Sequence, residues 1–315
     1  MDRRKFIISL SALSLTRLMD LNPASDLFAK TDGKKSGTGP GKIDKNLVVF
    51  ISDLHSNPSG YQSDKLKKVV DDILKLNPLP KNVIALGDLA YLTGRTFEYE
   101  SLKSILSPLE KAGITLTLGM GNHDRREEFS SVFPKQAAKS IFKDRLTYVV
   151  KTEYADFIVL DSLQQGEDST KWITGGALDD AQKSWLKEQL NSYEKPVFVC
   201  AHHPIAETDI SSILAESNSC RGYIYIYGHN HKWRKDWIKR SYHDRRIVRT
   251  LCLPSTGHWG DIGFTTFELG STRAVATLYE NEFFFPHPVG PGENIPRQWL
   301  DFVEENSNAK CIFEY

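Results

Sequence analysis

Short apolar runs that stop on polar, histidine-bearing turns recur along much of this chain, and amphipathic stretches separate the early ones. Leu47 to Ile51 is a continuous apolar run ending on Ser52-Asp53, the pattern of a strand buried on both faces. Between Ser63 and Leu76, the residues Leu66, Val69, Val70, Ile73 and Leu74 recur at helical spacing with lysines and aspartates opposite. That spacing predicts a helix, which Pro78 and Pro80 close. Asn82 to Leu86 reads as a second strand, ending on Gly87-Asp88. Glu98 to Lys111 reads as a helix with Leu102, Ile105, Leu106 and Leu109 inward, stopped by Gly113. A third strand, Ile114 to Met120, runs into Gly121-Asn122-His123-Asp124 and then a helix-favouring stretch, Arg125 to Phe129. Strand and helix alternating in this way predict a mostly parallel sheet with right-handed crossovers.

The rhythm then changes. Leu146 to Val150 and Phe157 to Leu160 read as an antiparallel strand pair, and Asp179 to Tyr193 as a helix capped by Asp179 or Asp180. Gln164 to Gly176 is polar and glycine-bearing, so a surface loop near the site is expected. Pro196 to Cys200 and Tyr223 to Tyr227 are short apolar strands that run into Ala201-His202-His203-Pro204 and Gly228-His229-Asn230-His231. Ile247 to Leu253, Gly263 to Leu269 and Ala274 to Tyr279 have no helices between them and suggest a second sheet. The expected fold class is α/β: a two-sheet β-sandwich flanked by helices. The tail reads as Pro rich, then helical at Gln298 to Glu305.

Charge and cysteine usage narrow the classes. Forty basic residues balance forty acidic ones, so no global field argues for nucleic acid or an anionic surface. Cys200, Cys220, Cys252 and Cys311 contain no C-x-x-C pair, which excludes a zinc ribbon or a thioredoxin-like site. Cys200 and Cys252 are expected as buried thiols, and a Cys220–Cys311 pair stays open. At the start, Arg3-Arg4 precedes a moderately apolar run, Phe6 to Leu15, with small residues following near Ala24-Ser25 and Ala29. This is the layout of a twin-arginine export signal, and the apolar run is too short to span a membrane. The expected organisation is therefore an export signal over 1–30, a Gly-, Lys- and Ser-rich linker over 31–45, a core domain over 46–282 and a C-terminal extension over 283–315, in a protein exported to a bacterial periplasm.

Of the nine histidines, six sit in the short turn motifs. Asp53 and His55, and likewise His229 and His231, stand two apart, which would put each pair on one face of an extended segment. Asp88, Asn122 and His202 follow other strands. Open α/β sheets bind ligands at the carboxyl edge where such turns gather. Seven O and N donors exceed one tetrahedral zinc. They suit two divalent ions about 3.5–4 Å apart with one carboxylate bridging. The aspartates leave such a pair with surplus positive charge, which favours an anionic substrate, a metal-bound hydroxide and phosphoester hydrolysis.

The ordered set D-x-H, G-D, G-N-H-D, H-H-P and G-H-x-H, spanning roughly Leu47 to Gly270, resembles the calcineurin-like metallophosphoesterase superfamily. The resemblance implies that Asp53, His55 and His231 hold one metal, that Asn122, His202 and His229 hold the other, and that Asp88 bridges them. It implies that His123 donates a proton to the transition state or leaving oxygen while Asp124 orients its imidazole. It also implies two divalent or trivalent ions, such as Mn, Fe or Zn, and a small phosphoester substrate. Asn122 to Phe129 and Leu160 to Leu190 resemble most the cyclic-nucleotide and glycerophosphodiester phosphodiesterase branch. The alternatives are a phosphomonoesterase of acid-phosphatase type, which the Asp88-to-Tyr91 spacing keeps open, and a non-catalytic metal-binding envelope protein. His203 reads as a residue supporting the ligands or touching substrate, with a catalytic role as the alternative, and His258 as either a cleft residue or a surface one. Arg125 and Arg126 read as solvated first-turn residues with phosphate contact as the alternative.

Overall fold

The structure is a computed structural model that describes residues 42–216, 224–239, 247–284 and 310–315. These lie in one compact unit, Gly41–Tyr315. The expected export signal, the Gln298 to Glu305 helix and Cys220 fall outside the described residues.

The alternation seen in the sequence is present. Strand β1 (Ile43–Ile51) leads to helix α1 (Tyr61–Leu74), β2 (Leu79–Leu86), helix α2 (Thr96–Lys111), β3 (Thr115–Gly119) and the short helices α3 (Arg126–Val132) and α4 (Pro134–Ala137). β1, β2 and β3 pair in parallel. Helix α1 ends before the prolines, and Pro80 falls inside β2, beside Asp44 near the start of β1. Helices α1 and α2 press Leu66, Val69, Ile73, Leu102 and Leu106 into the core, as their spacing requires.

The chain continues through β4 (Tyr148–Val150), β5 (Asp156–Val159), α5 (Asp180–Ser192), β6 (Val197–Cys200), α6 (Ile205–Thr208), α7 (Ser211–Glu216), β7 (Ile224–Tyr227), β8 (Arg234–Lys239), β9 (Ile247–Cys252), β10 (Gly260–Leu269), β11 (Arg273–Phe284) and β12 (Lys310–Glu314). The β4–β5 pair is antiparallel, as expected. Asp179 caps α5 by accepting from the Gln182 backbone N–H at 2.8 Å.

Two six-stranded mixed sheets result, in the orders β12-β11-β10-β1-β2-β3 and β4-β5-β6-β7-β9-β8. The grouping expected for the last three strands is corrected. β9 does not join β10 and β11; it pairs in parallel with β7, whereas β10 pairs antiparallel with β1. β8 and β12, which no apolar run announced, form the edge strands of the two sheets. β1 begins at Ile43, and β12 pairs with β11 in the first sheet.

Phenylalanines from both sheets meet between them. Phe50 of β1 lies 5.4 Å from Phe157 of β5, and Phe198 of β6 lies 5.6 Å from Phe267 of β10, ring centre to ring centre. Such edge-on pairs add to the area term that drives burial. The far face of the second sheet is covered by Leu186, Leu190 and Leu214 of α5 and α7, packed on Val199 and Tyr225. Cys200, Cys252 and Cys311 are buried free thiols.

Candidate metal centre

The turns that leave the strands at this edge are tied to one another by hydrogen bonds. The amides of Asp53, His55 and Ser56 donate to the carbonyls of Gly87, Asp88 and Leu89 at 3.2, 2.8 and 2.9 Å, which lays the Asp53 turn along the Asp88 turn. The His229 amide donates to both oxygens of Asp53 at 3.1 Å, joining the two sheets. The approach is close enough to require glycine. A Cβ on Gly121 would stand 2.2 Å from the Asp88 nitrogen, and one on Gly228 would stand 1.9 Å from Ser52 Oγ.

Asp53, His55, Asp88, His229 and His231 all have positive φ, between 44° and 65°. This corrects the expected extended geometry for the two D-x-H and H-x-H pairs: the chain coils at these positions through the left-handed region. For residues other than glycine that conformation costs roughly 1–3 kcal/mol each, and it persists where surrounding structure imposes it.

The side chains then converge in two groups. Asp53, His55, Asp88 and His231 form one, all buried; His202, His203 and His229 form the other. Asp88 lies between them, with Oδ2 at 3.5 Å from His55 Nε2 and 3.3 Å from His202 Nε2. Asn122 joins the second group, its Oδ1 at 3.1 Å from His202 Nε2 and 3.0 Å from His229 Nδ1. All seven residues expected to hold metal are thus brought together, and His203 stands beside them.

The imidazoles are oriented by carbonyls. Nδ1 of His55, His202 and His231 lies 3.1, 2.8 and 3.0 Å from the carbonyls of Tyr91, Leu86 and Trp259. A carbonyl can only accept, so each Nδ1 carries a proton and each Nε2 is the atom turned to the centre, free to present a lone pair once it gives up any proton of its own. His55 Nε2 is buried with no hydrogen-bond partner. Meanwhile Asn122 Oδ1, His202 Nε2 and His229 Nδ1 crowd within 3.2 Å of one another. A knot of electron-pair donors around two buried carboxylates is satisfied by cations, so the residues fit a dinuclear metal centre.

The titration of these groups points the same way. Burial alone would raise the Asp53 carboxyl, but His231 and His202 overcome it and hold it far below the ordinary range. Burial disfavours charge on His202, yet Asp88, Asp53 and the Leu86 carbonyl outweigh it and lift the ring to about 9. Positive charge is stabilised at that position. Away from the carboxylates, burial lowers His203 and His258, and neighbouring imidazoles lower them further.

His123 sits beside this centre with its ring 4.9 Å from that of His55. Its amide donates to Asp88 Oδ1 at 2.9 Å, and its Nδ1 lies 2.8 Å from the Leu92 carbonyl. Asp124 therefore does not orient the imidazole, contrary to expectation. Its carboxylate accepts from the amides of Leu89, Ala90 and Gly121 and from the Tyr99 hydroxyl, stapling the Asp88 turn to the Asn122 turn. Within one tight turn adjacent side chains diverge, and the backbone amides claimed the aspartate.

Arg125 and Arg126 are neither solvated nor turned to the centre. Arg125 Nη2 donates to the Asp168 carbonyl at 2.6 Å, while Arg126 forms a two-pronged pair with buried Asp161 and also donates to the Leu163 carbonyl. They tie α3 to the loop 162–176. That loop brings Trp172 over His123, ring centres 4.7 Å apart. The only signal for it in the sequence was that Trp172 is the sole aromatic residue between Gln164 and Gly176. His258 does reach the site: its ring lies 4.3 Å from that of His55. Its loop is docked through the Ser255 hydroxyl on the Asp53 carbonyl and the Thr256 amide on the Ser52 carbonyl.

Comparison with known proteins follows the same outline. A family model described as calcineurin-like phosphoesterase matches residues 47–233. The chain is 29% identical over 173 residues to a probable cyclic nucleotide phosphodiesterase of Rhodopseudomonas palustris, covering 51% of this chain and 58% of that protein. It is 33% identical over 129 residues to the human serine/threonine-protein phosphatase CPPED1, covering 40% of this chain and 39% of that one. The chain thus spans less than two thirds of either curated relative. A dimetal phosphatase from Danio rerio superposes with a TM-score of 0.56 at 15% identity, over 75% of this chain and 96% of that one. The structure of PhoD superposes at 0.50 with 10% identity, over 78% and 73%. At such identities the likeness is one of fold.

Proposed function

We propose that this chain, which belongs to the calcineurin-like phosphoesterase family, is a phosphoester hydrolase that works with two metal ions. The observation that carries the reading is the pair of donor groups sharing Asp88, with three imidazoles turned inward by backbone carbonyls. Asp53, His55 and His231 would hold one ion, Asn122, His202 and His229 the other, and Asp88 both. Two such ions, when bound, neutralise phosphoryl charge and make water acidic enough to attack at neutral pH. Mn, Fe or Zn suits this mixture of oxygen and nitrogen donors.

The remaining chemistry belongs to the protein. With Nδ1–H held by the Leu92 carbonyl, a protonated His123 keeps its Nε2–H to give to the departing oxygen. The hydrogen bond that the His123 amide donates to Asp88 Oδ1 fixes that residue relative to the centre. A preference for diesters is supported by the probable cyclic nucleotide phosphodiesterase among the relatives. The monoesterase alternative is supported by the human phosphatase. The acid-phosphatase form of it draws less from Tyr91, which gives His55 its carbonyl and lays its ring against His258.

A diester and a monoester chromogenic substrate, run side by side on chelator-stripped protein with each metal added back, test both readings. Turnover of the diester restored by Mn, Fe or Zn supports the diesterase. Turnover of the monoester alone moves the assignment to the phosphatase. No turnover of either with any metal removes the hydrolase reading.

A further inference from the structure

Two histidines that face the centre without a place among the metal donors each carry an aromatic ring. Trp172 lies over His123 at 4.7 Å and 33°. Tyr61, at the start of α1, is nearly parallel to His258, 10° apart with centres at 6.4 Å, and its hydroxyl is 3.4 Å from His258 Nδ1. His123 and His258 in turn both pack against His55, at 4.9 and 4.3 Å. The buried, charged centre is therefore bordered by two histidine–aromatic pairs.

Both outer rings are open to solvent: Trp172 is 43% exposed and Tyr61 37%. Leu92 and Ile173, next to the Trp172 side, are 42% and 43% exposed. Large apolar side chains around a polar centre are an unusual use of surface, and a site that binds small molecules typically joins apolar walls to a few polar groups.

The rings are also held in place. The loop carrying Trp172 is anchored before it by Arg125 on the Asp168 carbonyl and by Arg126 on Asp161 and the Leu163 carbonyl. After it, the Gly176 amide donates to Glu207 at 2.8 Å. Tyr61 is fixed on its other side by Phe284, ring centres 5.0 Å apart. Pinning an exposed indole over a catalytic imidazole pre-organises a stacking surface at little further entropic cost on binding.

We propose that Trp172 and Tyr61 determine specificity by stacking on the organic groups of the ester, and that the substrate carries an aromatic or similarly planar group. This rests on the hydrolase reading above and adds the substrate class to it. Two walls also suit a diester, which has an organic group on each side of the phosphorus.

Two esters with one leaving group isolate the effect: phenyl 4-nitrophenyl phosphate and methyl 4-nitrophenyl phosphate, turned over by the metal-loaded protein. The ratio of their kcat/KM values, compared between variants, cancels their intrinsic reactivity. Wild type should favour the phenyl ester, and Trp172→Ala or Tyr61→Ala should reduce that ratio roughly five- to fiftyfold, the range for losing one stacked ring. Trp172→Phe should retain most of it. Calorimetry provides a readout without turnover: phenylphosphonate should bind wild type more tightly than methylphosphonate, and the margin should narrow in Trp172→Ala. Equal slowing of both esters in both variants, or equal binding of the two phosphonates to wild type, overturns the proposal. Failure of wild type to hydrolyse either ester counts against the hydrolase reading instead, and the calorimetry then still decides the stacking.

Discussion

Neighbouring residues in the Gly121-Asn122-His123-Asp124 turn do three different jobs, which sequence proximity could not separate. Asn122 points its Oδ1 among the imidazoles, His123 hands Nδ1 to a carbonyl and stays half exposed, and Asp124 turns inward to the amides. His123→Ala should therefore keep both metals and the fold while slowing turnover by roughly a hundredfold to ten-thousandfold, the scale of a lost proton donor. The loss should shrink for good leaving groups, which need little protonation. Asn122→Ala should instead lower the occupancy of one metal. Metal analysis beside steady-state kinetics separates them, and loss of metal from His123→Ala would refute its role. Asp124→Ala is expected to act on stability: it strands three buried amides and takes one acceptor from the Tyr99 hydroxyl, a cost of roughly 3 kcal/mol or more. A urea midpoint unchanged from wild type would show that the staple is dispensable.

At the scale of elements, what the sequence disclosed tracks how local the cause was. Buried parallel strands and the α1 and α2 faces were legible because every residue in them obeys one period. β8, reading Arg-Lys-Asp-Trp-Ile-Lys, and the five-residue β12 were not, because an edge strand needs no apolar run and takes its conformation from its partner. Nor could the pattern say that β9 joins β7 and not β10, since strand partners are chosen by packing far along the chain. The donor residues were legible as motifs, but their left-handed backbone was not: it is imposed by hydrogen bonds between turns. The arginines that tie α3 to the loop were read as solvated because their partners lie 35 to 43 positions away. Arg126→Ala would leave Asp161 buried with its two backbone amide donors but no counter-charge, and should cost roughly 3–5 kcal/mol. Equilibrium unfolding measures it; a loss under about 1 kcal/mol would mean that water replaces the guanidinium.

For the whole molecule, two expectations reach beyond the site. We infer export by a twin-arginine route from Arg3-Arg4 ahead of the apolar run. Changing both to lysine keeps the charge, so continued appearance of the double variant outside the cytoplasm would exclude that route. The second concerns how the sandwich is held together. Asp53, His55, Asp88 and Asn122 follow strands of the first sheet, whereas His202, His229 and His231 follow strands of the second. Bound ions would thus cross-link the two sheets at one edge. They would also offset the strain of five left-handed donor residues, which the protein otherwise sustains through hydrogen bonds between the turns. Each ion that binds only the folded form stabilises it by mass action, by about 2.7 kcal/mol at a hundredfold over its Kd. In a domain of this class that is roughly 5–10 °C in melting temperature. Stripping with a chelator should lower the melting temperature by that order, and adding metal back should restore it in proportion to the logarithm of its concentration. Asp88→Asn, which removes the shared carboxylate charge, should abolish most of the metal-dependent increment while the stripped proteins melt close together. An increment that survives intact in Asp88→Asn would place the stabilising ions somewhere other than between the two sheets.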